Sequence, residues 1–247
     1  MKLSLLEIVQ DILSDISSDE INSISDTVES LQVAQLVKST YYNIVSEFEL
    51  PSHKRLVQLT PSGNTDKPTH MSVPTNVDKL EWVKYNIDDT GNKPVYRTIT
   101  FMHPEQFIDY ASNRDLTESY IEQITDYSGT PLLIRNDTPP TYYTSFDDEH
   151  VVFDSYDKDV DSTLQNSKTV CYGEERPTFT LSDSYIPDLP ANLHPYLLSE
   201  AKSRVFFSIK QMGNEKEEQI ARRHRIRAQR SKWKTQEYHN LPDYGRK

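Results

Sequence analysis

The sequence predicts an α+β protein: a helical bundle made from the two ends of the chain, an antiparallel β module inserted between them, and an extended C-terminal tail. Three observations predict it. Apolar residues recur every three to four positions near both termini, and they alternate with polar ones between about residues 55 and 181. Pro, Gly, Asn and Asp bound most of the alternating runs. The expected parts are N-terminal helices at 1–54, a β-rich module at 55–185, C-terminal helices at 186–237 and a tail at 238–247.

The N-terminal part rests on two patterns. Leu5, Ile8, Val9, Ile12, Leu13 and Ile16 share one face of a first helix, which should end near Ser17-Ser18. Asp26 with Glu29 reads as a capping box, opening a longer helix with Val28, Leu31, Val37, Tyr41, Ile44 and Phe48 on roughly one face, stopped by Pro51. In the middle, Leu56 to Leu59, Lys79 to Tyr85, Val95 to Met102, Tyr120 to Tyr127, Pro131 to Arg135, Tyr142 to Phe146, Val151 to Tyr156 and Thr169 to Tyr172 read as strands, with a short helix over Pro104 to Ala111. Pro187, Pro190 and Pro195 mark an extended return to the C-terminal helices.

The stretch Pro195 to Lys234 changes character at Gly213-Asn214. Before it, Leu198, Ala201, Val205, Ile209 and Met212 form a stripe that must be buried, with Pro195 suited to a first helical turn and Gly213 to a left-handed cap. After it, Arg222, Arg223, Arg225, Arg227, Arg230, Lys232 and Lys234 surround a helix that leaves only Ile220, Ile226 and Trp233 for a thin apolar seam. Such a helix is solvated or lies on a partner. Helices this short cannot bury their stripes alone, so the terminal helices should pack together.

Composition and charge narrow the function. The 247 residues suffice for one large domain or two small ones, and 15 Tyr, 8 Phe and 2 Trp argue against wholesale disorder although 26% of the chain is charged. The net charge of -11 divides unevenly: residues 1–200 hold 14 Lys and Arg against 33 Asp and Glu, residues 201–247 hold 13 against 5. A body at -19 repels a duplex laid along it, so the basic end suits an acidic protein surface better than nucleic acid. The acidic Glu215, Glu217 and Glu218 opening the basic helix, with arginines later, complement its dipole and need no nucleic acid to explain them.

Motifs for chemistry are absent. Asp157, Asp159 and Asp161 have the spacing that opens a calcium loop, but Ser162 stands where Gly is needed and Lys168 where Glu is needed, so a solvated acidic loop is the reading. The seven histidines show no pair at i, i+4, and the lone Cys171 excludes an intramolecular disulfide and a thiolate metal cluster. Six glycines form no phosphate loop, and no G-x-S-x-G occurs. The expectation is a protein that is not an enzyme, takes no cofactor and, lacking both signal peptide and membrane span, engages no membrane.

The order of elements resembles the head-to-tail adaptor proteins of short-tailed bacteriophages, the tail tubular protein A group. The resemblance spans most of the chain and is sharpest at Leu5-Leu6-Glu7-Ile8-Val9-Gln10-Asp11-Ile12-Leu13, at Asp26-Thr27-Val28-Glu29-Ser30-Leu31-Gln32-Val33-Ala34 and at the ending Tyr244-Gly245-Arg246-Lys247. It implies a structural virion protein of the neck, assembled in the host cytoplasm as a ring, usually of twelve copies. Such a ring docks under the portal protein, receives the tail nozzle, sits where some phages anchor fibres, and lets DNA pass without specific binding. Carried over, it makes Arg222, Arg223, Arg225, Arg227, Arg230, Trp233, Tyr238, Tyr244, Arg246 and Lys247 the portal-facing residues. Two classes compete with it: a nucleic-acid-binding protein that uses the basic helix, with Trp233 stacking on a base, and a metal-dependent enzyme, which needs the Asp157 to Asp161 cluster to hold a cation with further ligands.

Overall fold

The structure is a computed structural model that describes residues 2–48, 50–88 and 93–229. Among them are five α-helices: α1 (Leu5–Asp15), α2 (Val28–Glu47), α3 (Pro104–Ser112), α4 (His194–Lys210) and α5 (Glu215–Gln229). The strands are β1 (Lys54–Val57), β2 (Thr60–Pro61), β3 (His70–Ser72), β4 (Val77–Asn86), β5 (Tyr96–Phe101), β6 (Ile121–Thr125), β7 (Pro131–Arg135), β8 (Tyr142–Thr144), β9 (His150–Phe153) and β10 (Thr169–Glu175). The fold is mixed α+β, with helices from the two ends of the chain packed together and a curled sheet between them in sequence. Two compact units result, one from Met1–His53 with the described residues after Pro177, the other from Lys54–Arg176.

In the helical unit α1 forms because its apolar period is strict and its start is closed on both sides. Glu7 donates its backbone N–H to Ser4 Oγ at 3.3 Å, and the Glu7 carboxylate accepts from the Ser4 N–H at 2.7 Å. Leu5, Ile8, Val9, Ile12 and Leu13 are buried, and Ser17 leaves the helix in the left-handed region at φ 55°. The expected cap of α2 is off by one residue. Thr27 and Ser30 exchange the capping bonds, at 3.0 and 3.1 Å, while Asp26 instead accepts from the N–H groups of Asn22 and Ser23. Ser30 is turned inward, its hydroxyl on the Ile24 carbonyl, so the first turn is rotated: Val28 is 76% exposed and Leu31 also faces water. The buried face runs through Val33, Ala34, Val37, Tyr41 and Ile44.

Residues 177–193 close this core from the far end of the sequence. Leu5 and Leu6 donate to the carbonyls of Tyr185 and Asp183, the Asp183 carboxylate accepts from the Ile24 N–H at 2.9 Å, and Phe179 packs on Tyr41 and Tyr185. In α4, Tyr196, Leu197, Ala201 and Val205 are buried, whereas Leu198 and Ile209 are half-buried and Met212 lies beyond the helix, exposed. The left-handed cap falls on Gln211 (φ 54°) rather than Gly213, because α4 ends two residues earlier than its stripe suggests. Lys202 ties α4 to α1 by reaching Asp11 at 2.8 Å and Asp15 at 2.6 Å.

The β unit is an eight-stranded half-barrel in the order β1-β10-β4-β5-β8-β9-β3-β2, with β6 and β7 as a separate hairpin. The sheet is mixed, not wholly antiparallel as expected: β5 and β8 run parallel, Thr100 opposite Tyr142 and Phe101 opposite Tyr143. A parallel pair needs a long crossover, and α3 with the β6–β7 hairpin supplies it. Val83, Tyr85, Ile99, Phe107, Ile134, Val152, Phe153 and Cys171 are among the core residues. Gly173 sits where the β10–β4 register shifts, and a Cβ there would lie 2.6 Å from the Lys79 carbonyl oxygen. β3 carries no signal in the sequence; its three residues are strand only because β2 and β9 flank them. Among the described residues, no helix is long and apolar enough to cross a membrane.

Candidate functional site

The basic helix α5 begins with its own cap: Asn214 Oδ1 accepts from the Glu217 N–H at 3.2 Å, and Glu215, Glu217 and Glu218 occupy the first turn. Of the expected seam, Ile220 is half-buried, Ile226 is exposed and Trp233 lies outside the described residues; the fully buried residues are Ala221 and Ala228, seven apart on one face. Small side chains let a charged helix approach closely, so α5 lies on α4 of its own chain while Ile226 stays 49% exposed. The helix is therefore neither fully solvated nor free of its own subunit.

All four described arginines of α5 are exposed, and Arg225 differs in being tied to another helix. Arg225 donates to the Glu47 carboxylate at the C-terminal end of α2, where Gln229 also donates at 3.3 Å. That ion pair raises the Arg225 pKa above its ordinary value. Arg222, Arg223 and Arg227 are exposed. Between α2, α4 and α5 lies a cleft of about 380 Å³, whose lining includes Asn43, Glu47, Tyr196, Arg204 and Arg222. Arg204 is fixed there by Glu200 at 3.1 Å, and by the Asn43 amide oxygen at 2.6 and 3.0 Å when that amide is turned toward it. Burial first, then the charges of Glu47 and Glu200, pushes the Tyr196 phenol up to about 12. The cleft thus holds charges of both signs, most already paired. What α5 offers away from the cleft is the Arg223 and Arg227 guanidinium groups beside Ile226, with Arg222 at the cleft wall, all suited to carboxylate or phosphate oxygens.

Arg230, Trp233, Tyr238, Tyr244, Arg246 and Lys247, together with the expected tail at 238–247, lie outside the described residues. In the acidic loop, Asp157 accepts from the Asp159 N–H at 3.1 Å and Asp161 pairs with Lys168 at 2.5 Å. The residue that breaks the calcium pattern in sequence thus occupies one of its carboxylates. No group of three or more metal-ligating side chains occurs among the described residues. Cys171 is buried, and burial pushes its thiol up to about 12, far from a reactive thiolate.

Sequence reasoning missed one polar cluster in the β unit. His70 and Asp126 are buried and meet at 2.9 Å, Tyr127 packs edge-on against His70 and lies over His150, and His150 bonds Asp147 at 2.6 Å. Burial holds the His70 pKa below its ordinary value, against the favourable pull of Asp126. The Asp126 carboxyl is lowered to about 2: burial opposes the shift, but bonds from Ser128, His70 and the Tyr127 N–H outweigh it. The state is a neutral imidazole on a carboxylate, fastening the β6–β7 turn to β3. Its members come from three distant stretches, so no local motif announces it. No family model matches this chain, and no curated protein matches it.

Proposed function

We propose that this protein is a structural component of a short-tailed phage virion, a head-to-tail adaptor that forms a ring between portal and tail nozzle and surrounds part of the DNA channel. The observation that carries this reading is the build of the helical unit together with the family resemblance of its sequence. Helices from both ends of the chain share one core, and α5 leaves Arg222, Arg223 and Arg227 exposed for a partner. Acidic residues dominate the rest of the chain, so opposite charges on one subunit favour head-to-tail contacts, which close into a ring when the rotation permits. An acidic channel wall repels phosphates and lets DNA slide past. In this reading Arg225 holds α5 in place through Glu47, and the portal contact falls to the other arginines with the chain beyond Gln229. The β half-barrel is left to face nozzle or fibre.

The test is the mass of the protein alone and mixed with portal protein. A closed oligomer bound to portal is expected; a protein that remains a monomer in both samples and is missing from virions overturns the reading. The exposed Arg222, Arg223 and Arg227 also favour a second reading, duplex binding through α5. It requires affinity for DNA that falls steeply with salt, as release of several counterions dictates.

A further inference from the structure

We infer that the face of α2 and α4 that receives α5 is an exchange surface, whose occupant in the assembled protein is the α5 of a second copy of this chain. The inference rests on the ring reading above, and it names the contact that joins the copies. Four features carry it. The buried side chains of α5 are two alanines, so little apolar surface holds it to its own subunit. Its connection to α4 is only Gln211 to Asn214, with Gln211 held in the left-handed region and Met212 67% exposed. The helix carries its own cap and a first turn of glutamates, so it remains a helix when moved away. Finally, its specific polar anchor is Glu47, at the end of an N-terminal segment that holds 2 Lys and no Arg against 9 Asp and Glu over residues 1–53.

Each of these contacts can be made by the same helix from a neighbour, because the surfaces are identical in every copy. Opening the Gln211 turn removes a non-glycine residue from a disfavoured conformation. The exposed Phe207 (71%) and Met212 beside that turn give the exchanged form apolar surface to bury between copies, which the closed subunit leaves in water. Lys202 and Arg204, which tie α4 to α1 and α2, are untouched by the exchange, so the acceptor surface persists while its occupant changes.

The experiment joins Glu47→Cys with Gln229→Cys in the full chain, and Glu47→Cys with Arg225→Cys as a second pair in case one variant fails to fold. The single natural cysteine is buried and does not compete. The protein is oxidised at high concentration with portal protein, its mass is measured, and the products are separated under denaturing, non-reducing conditions. Expected is an oligomer in which most cross-linked product contains two or more chains. An oligomer in which the cross-link stays within single chains overturns the exchange and leaves the adaptor reading standing. Cross-linked multimers that do not bind portal support the exchange and overturn the adaptor reading. A monomer cross-linked only to itself overturns both.

Discussion

Asp154 is the position where one substitution should cost the β unit most. The residue is 3% exposed, and its Oδ1 accepts from the N–H groups of Thr141 at 2.9 Å and Tyr142 at 2.8 Å. Its Oδ2 faces Arg114 Nη2 at 3.3 Å, while Arg114 Nη1 donates to the carbonyls of Leu133 at 2.9 Å and of Asp154 itself at 2.7 Å. The pair therefore pins the loop after α3, the β7 strand, the start of β8 and the end of β9 at one point. Asp154→Ala leaves a buried guanidinium without its counter-charge, a loss of about 3–5 kcal/mol. It also strands two backbone donors at about 1–3 kcal/mol each if nothing replaces the acceptor. These terms overlap, so a total near 4 kcal/mol is the expectation, equivalent to a fall in Tm of about 10–15 °C. Thermal unfolding by circular dichroism measures it. Two companions sharpen the result: Asp137→Ala, which breaks an exposed pair with Arg135, should change stability by less than about 1 kcal/mol. Adding Arg114→Met to Asp154→Ala should restore part of the loss, since it removes the stranded charge. A cost below about 1 kcal/mol for Asp154→Ala, or no restoration in the double variant, would refute the reasoning.

Further outcomes follow at other sites. Because the folded His70 pKa lies below the ordinary value of 6.5, the protein gives up stability as pH falls from 6.5 toward that lowered value, where the unfolded chain takes up a proton and the folded one does not; His70→Gln should flatten that slope in acid unfolding curves. Asp126 adds a second loss at lower pH, between its ordinary 3.8 and about 2, which Asp126→Asn should remove. Gly173→Ala drives a Cβ to 2.6 Å from the Lys79 carbonyl oxygen, so β4 and β10 must separate locally; a loss of about 1–3 kcal/mol in denaturant unfolding is expected, and a neutral result means the register shift relaxes freely. Replacing Arg222, Arg223 and Arg227 together by Gln should weaken binding to portal and leave the melting of the helical unit within about 1 kcal/mol, whereas Glu47→Gln should loosen α5 itself.

Much of the fold is legible in the sequence where its signals are local. The strict period of Leu5 to Leu13 predicts α1 and its buried face, and Pro131 to Arg135 is a strand with the bounds its flanking residues suggest. Errors arise where a side chain's size or direction outweighs its hydropathy. Val28 and Leu31 look like core, but the inward Ser30 hydroxyl rotates the first turn of α2 and puts them in water. In α5 the isoleucines look like the seam, yet between closely approaching helices Ala221 and Ala228 fit where an isoleucine does not. The parallel partnership of β5 and β8 and the strand β3 leave no trace, since only residues far along the chain create them. The candidate site is legible as a basic helix, but the pairing that sets Arg225 apart from Arg222, Arg223 and Arg227 depends on Glu47, 178 residues away.

The packing of α1 and α2 against α4 has a kinetic side. On a ribosome making about 5–20 residues per second, the roughly 150 residues between Glu47 and His194 take about 7–30 s to appear. Throughout that interval the apolar faces of α1 and α2 have emerged without the helix that covers them. Residues 54–176 wait a shorter time, since β1 needs β10, and both, the first and last strands of the unit, are in hand once residue 176 is made. The half-barrel can therefore mature first, as a folded plug between two sticky ends that must find each other late. A stalled or truncated chain that ends before α4 leaves those ends for a chaperone, or for the next nascent chain.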